Sequence, residues 1–350
     1  MADFLLEIGC EEIPARMIDA ASTELGRRVN DVLKRERLSA GPAGNVFSTP
    51  RRLAVVVPGV SAAQADTEEQ VTGPSVKVAF KDGQPTPAAL AFAKKVNTDV
   101  SKLQRVGTPK GEYLAATVVN RGRSASAILA ETLPKELASL YWPKSMYWRA
   151  RNERFVRPVR WVVALLDDEV VPLEFDGVRA GRESSGHRTL GGPVKISSPR
   201  DYENNLQRVG VVVSEAGREQ RIRKALDEAA RTVHGARWRE DADLLSTVTS
   251  LTELPSVILG NFDTEFLELP EEVLVTVMRD HQKYFAVEDA EHKLLPHFLA
   301  VLNTNGDPEG IIRHGHERVL RARFNDARFF WQTDQKISLR DRVPLLRHVT

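Results

Sequence analysis

Residues 144–161, KSMYWRARNERFVRPVRW, are the stretch on which the reading of the rest of the chain turns. They set Arg149, Arg151, Arg154, Arg157 and Arg160 among Tyr147, Trp148, Phe155 and Trp161, in a protein whose formal net charge is only +1. Guanidinium groups fork onto phosphate oxygens and stack on bases, and aromatic rings offer flat stacking surfaces, so the interleaving suits a polyanion with exposed bases. The competing reading is a basic helix edge paired with acidic neighbours. Proline is tolerated at a first helical position, so Pro158 predicts the start of a helix. That helix would be buried through Val159, Trp161, Val162, Val163, Leu165 and Leu166, with the arginines at its entrance.

Outward from this stretch, 350 residues exceed what one core usually holds and predict two domains. Hydrophobic residues at 42% and charged residues at 28% describe a soluble globular chain rather than a disordered one. Apolar runs such as WVVALL are too short to cross a bilayer, and the start of the chain lacks a basic-then-apolar leader. Both features predict a cytoplasmic protein with no membrane partner. The single Cys10 has no partner for an internal disulfide or a thiolate metal site. With 49 basic and 48 acidic side chains, any nucleic-acid reading rests on local charge.

FLLEI at 4–8 reads as a strand running into Gly9. The helix after Pro14 carries Ile18, Leu25, Val29, Val32 and Leu33 at roughly helical spacing. Glu11 and Glu12 between them suit a helix start. FSTPRRLAVVV predicts one strand with Arg51 and Arg52 exposed at its beginning. A strand-like segment, a turn at Asp82 and Gly83, a helix launched by Thr86 and Pro87, the strand KGEYLAATVV and a helix over 124–140 follow. The first domain is therefore predicted as mixed α/β over 1–143.

Farther on, EVVPLEFDGV is a strand and turn, and GHRTLGG is a glycine-rich loop. There His187 and Arg188 present either a base or phosphate contact or a plain surface turn. Helices are predicted over 201–208, 215–233 and 242–251. The strand LPSVILGNF leads through Pro270 into a helix ending in Arg279, Asp280, His281, Lys283 and Tyr284. Two more strands, FAVED and LLPHFLAVLNTN, precede a helix over 311–330 with a basic stripe through Arg318 and Arg321. These segments make a second domain over 144–335, and 336–350 begin a further helical domain. His314 and His316, two apart, do not share a helix face and form a poor metal pair. Phosphate-loop, dinucleotide, zinc-helix and nucleophile-elbow signatures are absent from the sequence.

Eight stretches, taken together, carry a family resemblance. They are EIGCEEIPAR at Glu7, TPRRLAV at Thr49, GPSVKVAF at Gly73, WPKSMYW at Trp142, RFVRPVRWVVALL at Arg154, GHR at Gly186, RDHQKYFAV at Arg279 and RVLRARFNDARFFWQTD at Arg318. In this order they resemble the beta subunit of bacterial heterotetrameric glycyl-tRNA synthetase. The resemblance implies a longer family chain of which this is an amino-terminal fragment. It also implies a multidomain α+β fold with B1-like and B3/4-like modules similar to those of the phenylalanyl enzyme's beta chain. Cys10 stands where the family commonly has threonine, and His316 where asparagine is expected, which argues against a catalytic thiol and against a metal at HGH.

What the resemblance implies for function is a non-catalytic part of a glycine-tRNA ligase that positions tRNA(Gly). Arginine contacts to phosphate would fix the acceptor arm so that its terminal ribose hydroxyl reaches activated glycine in the alpha subunit. The charges expected on RNA are Arg149, Arg151, Arg154 and Arg157, then Arg51, Arg52, His187 and Arg188, then Arg279, Lys283, Arg318 and Arg321. The fragment is expected to be inactive alone and to bind no cofactor and no metal, ATP and magnesium belonging to the alpha subunit. Its expected partners are that alpha subunit, a second beta subunit and tRNA(Gly). Two alternatives stand beside this reading. One is a hydrolytic editing domain using Thr189, His187 or His281. The other is a purely structural module of the heterotetramer whose arginines are tied up in salt bridges.

Overall fold

The computed structural model describes residues 1–39, 41–81, 83–109, 111–148 and 154–344. Strand β1 (Ala2–Cys10) is buried along its whole length and leads into helix α1 (Ala15–Arg35), which buries Ile18, Leu25, Val29, Val32 and Leu33. The stretch predicted as one strand is a hairpin, β2 (Asn45–Thr49) and β3 (Arg52–Val60), closed by Pro50 and Arg51 with Thr49 paired to Arg52. Proline supplies a turn φ and lacks the N–H that a ladder would need, so the chain reverses there.

A small unit then leaves the main body. It consists of β4 (Thr67–Ser75), the single turn α2 (Val76–Ala79), β5 (Phe80–Lys81), β6 (Gln84–Pro85), α3 (Pro87–Lys95), β7 (Gln104–Thr108) and β8 (Gly111–Asn120). Its sheet has the order β4-β8-β7, and it has its own core of Ala79, Ala89, Phe92, Leu114 and Ala116. The chain returns where it left: the Gln64 amide donates to the Arg123 carbonyl at 3.0 Å and the Ala125 amide to that of Ala62 at 2.8 Å.

Helix α4 (Ala125–Ala138) packs beside α1, and a short hairpin of β9 (Met146–Tyr147) and β10 (Arg154–Phe155) precedes β11 (Val159–Leu166). The helix predicted after Pro158 is therefore a strand. β11 pairs antiparallel with β1, and most of its residues are buried because both faces of the sheet are covered. A strand buried on two faces shows a continuous apolar run, which periodicity cannot separate from a buried helix. With β12 (Glu169–Val170), β13 (Glu174–Phe175) and β14 (Val178–Gly181) the sheet has the order β13-β14-β11-β1-β3-β2, β12 pairing with β11. Its central pair, β1 and β11, draws on both sides of residue 143, the position predicted as a domain boundary.

One face of this sheet, through Phe4, Leu6, Ile8, Leu53, Val55, Val162 and Ala164, packs on α1 and α4. The other, through Leu5, Ala54, Val163 and Leu165, is covered by β15 (Glu183–Ser185), β16 (Pro193–Lys195) and α5 (Tyr202–Arg208). The elements that follow are α6 (Glu215–Ala230), β17 (Arg237–Trp238), α7 (Ala242–Ser250), β18 (Pro255–Asn261), α8 (Glu271–Thr276), β19 (Tyr284–Glu288), β20 (Leu294–Asn303), α9 (Ile311–Lys336) and α10 (Leu339–Arg342). They build a second sheet, β17-β19-β20-β18. Phe285, Val287 and Leu299 meet α6 and α7 on one face, while Tyr284, Phe298 and Ala300 meet α8 and α9 on the other. The class is α+β with several sheets, as expected. Among the described residues no helix is long and apolar enough to cross a membrane.

Candidate functional site

Alternation along three strands places four side chains on the α5 face of the first sheet, at its end: Glu7 on β1, Arg52 on β3, and Trp161 and Val163 on β11. Gly9 is the register partner of both Arg52 and Trp161. A Cβ on Gly9 would lie 1.8 Å from Trp161 Cε2, so only a glycine lets the indole lie across β1. The indole Nε1–H donates to Glu7 Oε1 at 2.5 Å, and the Ser184 hydroxyl donates to the same oxygen at 2.7 Å. Arg52, fully buried, adds a third bond to that oxygen at 3.4 Å through Nη1, and its Nη2 donates to the Ser185 carbonyl at 2.8 Å.

The other arm of Arg52 reaches the second half of the molecule. Its Nη2 lies 3.0 Å from Glu253 Oε1, which also accepts from the Thr49 hydroxyl at 2.7 Å. Glu253 sits between α7 and β18 and is 1% exposed; its backbone N–H donates to Asn303 Oδ1 at 2.8 Å and its carbonyl accepts from Val212 at 2.9 Å. Arg52 thus bridges a carboxylate of the first sheet and one from the connection that leads into β18 of the second. Burial pulls its pKa down, but Glu253 and Glu7 together hold it above the ordinary arginine value, so the guanidinium is charged. Nearby, Arg218 is also buried and donates to the carbonyls of Thr249, Val212 and Val213; burial pushes it down to about 10.

The outer layer of this junction is a ring of exposed pairs. Glu11 accepts from Arg160 at 2.7 Å and from Arg188 at 2.5 Å, Arg188 also meets Glu12 at 2.9 Å, and Arg157 Nε donates to the Glu12 carbonyl at 2.8 Å. Arg160, followed by Arg188, holds the Glu11 carboxyl below its usual range. Between the ring and the core lies a cleft of about 320 Å³ lined by Arg51, Trp161, Ser185, His187, Arg188 and Gly192. The Arg51 guanidinium lies over the Trp161 ring, 5.4 Å from its centroid. His187 is 2% exposed; its Nδ1 is 3.3 Å from the Thr189 hydroxyl and its Nε2 has no hydrogen-bond partner.

Four of the stretches singled out in the sequence, around Glu7, Arg52, Trp161 and His187, therefore meet at one place. Several expectations change on contact with the geometry. Arg52 is buried rather than exposed at a strand start, because it neutralises two carboxylates that the fold encloses. His187 is interior rather than on a surface turn, its backbone N–H donating to the Val209 carbonyl at 2.9 Å. Arg149 and Arg151 lie outside the described residues. Arg154 packs its guanidinium over Tyr147, 5.6 Å from the ring centroid. Arg279 is ion-paired with Asp241 at 2.5 Å and Asp280 at 3.1 Å, and Arg321 with Asp263 at 2.9 Å. Lys283 donates to the Asp280 carbonyl at 3.0 Å, and Arg318 is exposed on α9. His281 makes no hydrogen bond to His187 or Thr189.

Two members were missed by sequence reasoning, Glu253 and Ser184. For Glu253 the signal was present, a lone carboxylate in the apolar run LTELPSVIL; nothing around Ser184 marks it. Cys10, at the end of β1, is buried and its thiol is pushed up to about 12, chiefly by burial, so no thiolate is available at neutral pH. In a cavity of about 850 Å³ beside β17 and β19, Arg237 and Arg239 close on Glu288 at 2.9 and 2.7 Å.

Comparison with known proteins places these motifs. The family described as glycyl-tRNA synthetase beta subunit matches residues 4–350. The glycine–tRNA ligase beta subunit of Acidobacterium capsulatum is 63% identical over 356 residues, covering 100% of this chain and 50% of the relative. Those of Syntrophotalea carbinolica and Trichlorobacter lovleyi are 41% and 42% identical, each over 99% of this chain and about half of their own length. The chain spans about half the length of the relatives it matches. With eight motifs in order and a match running from residue 4 to residue 350, this chain belongs to the glycyl-tRNA synthetase beta subunit family.

Proposed function

We infer that the chain is the part of a glycine-tRNA ligase that holds tRNA(Gly) while an alpha subunit, using ATP and magnesium, glycylates it. The observation that carries this reading is the state of the charges at the motif junction. Glu7, Arg52 and Glu253 are locked to one another, Glu11 and Glu12 are closed by Arg160 and Arg188, and the one thiol is held protonated. Groups committed in this way supply a rigid frame, not a general base or a nucleophile. A frame that pins two sheets suits positioning, in which the gain comes from orienting two reactants. On this reading the chain works inside an assembly with an alpha subunit and a second beta subunit.

The same pairing favours a structural role for the junction itself, so RNA contact falls to charges that are free. The test is direct. The chain alone should bind tRNA(Gly) with an affinity that falls as salt rises, and should show no glycine-dependent exchange between ATP and pyrophosphate. Exchange by the chain alone would overturn the non-catalytic reading, and salt-insensitive or absent binding would leave only the structural role. Hydrolysis of mischarged tRNA, lost on His187→Ala or Thr189→Val, would establish the editing alternative.

A further inference from the structure

The small unit between β4 and β8 carries charge of a different kind. Residues 76–107 hold six cations, Lys77, Lys81, Lys94, Lys95, Lys102 and Arg105, against two anions, Asp82 and Asp99. All six cations are exposed, and among the described residues none is within ion-pair distance of a carboxylate. In this unit lies a groove of about 530 Å³, within the size range of about 300–1,000 Å³ common to ligand sites. Phe80, Pro85, Val100, Leu103 and Leu114 are its apolar lining, and Asp99, Ser101 and Arg105 its polar members. The Arg105 guanidinium lies over the Phe80 ring, 5.7 Å from its centroid. Lys81 follows Phe80 on the same hairpin, and Lys102 closes the turn Val100–Lys102, whose Val100 and Ser101 line the groove.

We propose that this groove takes an unpaired base of an RNA, with the surrounding lysines on the flanking phosphates. A planar guanidinium already stacked on an aromatic ring is an ordered platform for a third flat group. Asp99 accepts from the Ser101 amide at 2.9 Å and the Ser101 hydroxyl at 2.7 Å, which fixes its carboxylate at the rim. An acceptor beside a stacking surface suits the exocyclic amino group of a base and would repel a bare phosphate. Lys81 and Lys102, each next in sequence to a residue that lines the groove, then suit the phosphates on either side. The mixture of one anion, one stacked cation and free lysines thus distinguishes base-plus-backbone recognition from a simple anion site. None of these residues was among those expected on RNA from the sequence.

This inference rests on the tRNA-holding reading, and the experiment separates the two. Affinity of the chain for tRNA(Gly), and for a single-stranded oligoribonucleotide and a duplex of the same length, is measured by fluorescence anisotropy. The comparison covers the wild type, Arg105→Gln, and the double change Lys81→Gln with Lys102→Gln. Arg105→Gln is an exposed, fold-neutral change, so loss of binding with an unaltered circular dichroism spectrum reads the site and not unfolding. The expected result is a loss of about tenfold for tRNA and single strand with Arg105→Gln, the effect of one lost stacking partner, and little change for the duplex. The lysine pair should lower the salt slope for every RNA. If the wild type binds tRNA(Gly) and neither variant weakens it, the groove is overturned while the tRNA-holding reading survives. If the variants leave RNA affinity intact and weaken association with the alpha subunit, the groove is a protein contact and the proposal is wrong. If the chain binds no RNA at all, both readings fail.

Discussion

The junction at the end of the first sheet and the inserted unit at residues 64–123 use the same residue types to opposite ends. At the junction, Arg52, Arg160 and Arg188 are each closed by carboxylates on other segments, so their charge organises the protein. In the inserted unit, Lys77, Lys81, Lys94, Lys95, Lys102 and Arg105 close on no carboxylate at ion-pair distance among the described residues, Lys102 acting on Asp99 only through its field, so their charge remains accessible. Arg52, Arg160 and Arg188 of the family motifs meet carboxylates of other segments, whereas those six cations of the inserted unit do not. Enclosed ion pairs are expensive to break one partner at a time, whereas exposed ones contribute little.

The largest effect is expected of Arg52→Met. Glu7 would be left buried without a cation and Glu253 with only the Arg51 guanidinium at 4.0 Å, and the expected destabilisation is about 3–5 kcal/mol, read as a lower urea midpoint. Adding Glu7→Gln and Glu253→Gln should recover much of that loss, since a neutral cluster is no longer penalised; failure to recover would mean that Arg52 acts by packing instead. Next comes Gly9→Ala, whose methyl must displace the Trp161 ring. It should cost about 1–3 kcal/mol, and Cys10, otherwise silent to a thiol reagent, should begin to react. Smallest is Arg188→Ala, half exposed in its pairs with Glu11 and Glu12, expected at under about 1 kcal/mol.

Acid should act on the exposed ion pairs only once the pH enters the carboxylate range. Glu11 is held below its ordinary 4.5 by Arg160 and Arg188. Asp241 is held below its ordinary 3.8 by Arg279 although burial pushes it the other way. Because the folded values are depressed, the stability these groups contribute is complete above the unfolded values. It is lost as pH falls toward the folded ones. A stability profile that declines below about pH 4.5, and less steeply with Arg160→Ala and Arg188→Ala together, is the expected outcome. An unchanged decline would assign acid sensitivity elsewhere.

How much of this was legible depended on what each residue's surroundings recorded in the chain. The strand at FLLEI and the helix after Pro14 were readable because their apolar spacing is local. The reading of β11 failed because WVVALL is buried on both faces and shows no alternation, and Pro158 is as compatible with a strand's first flank as with a helix start. Arg51 and Arg52 looked like a surface pair because their carboxylate partners include Glu253, about two hundred residues away and visible only as an acid in an apolar run. Family resemblance identified the chain, while the pairing that separates structural from available charge exists only once the chain is folded.

The most direct test of that separation is residue-level modification of lysine and arginine, with and without tRNA(Gly), read by mass spectrometry. Lys77, Lys81, Lys94, Lys95, Lys102 and Arg105 are expected to lose reactivity when tRNA is present, while Arg160, Arg188 and Arg279 are unchanged. Protection of the junction arginines with the inserted unit still fully reactive would contradict it.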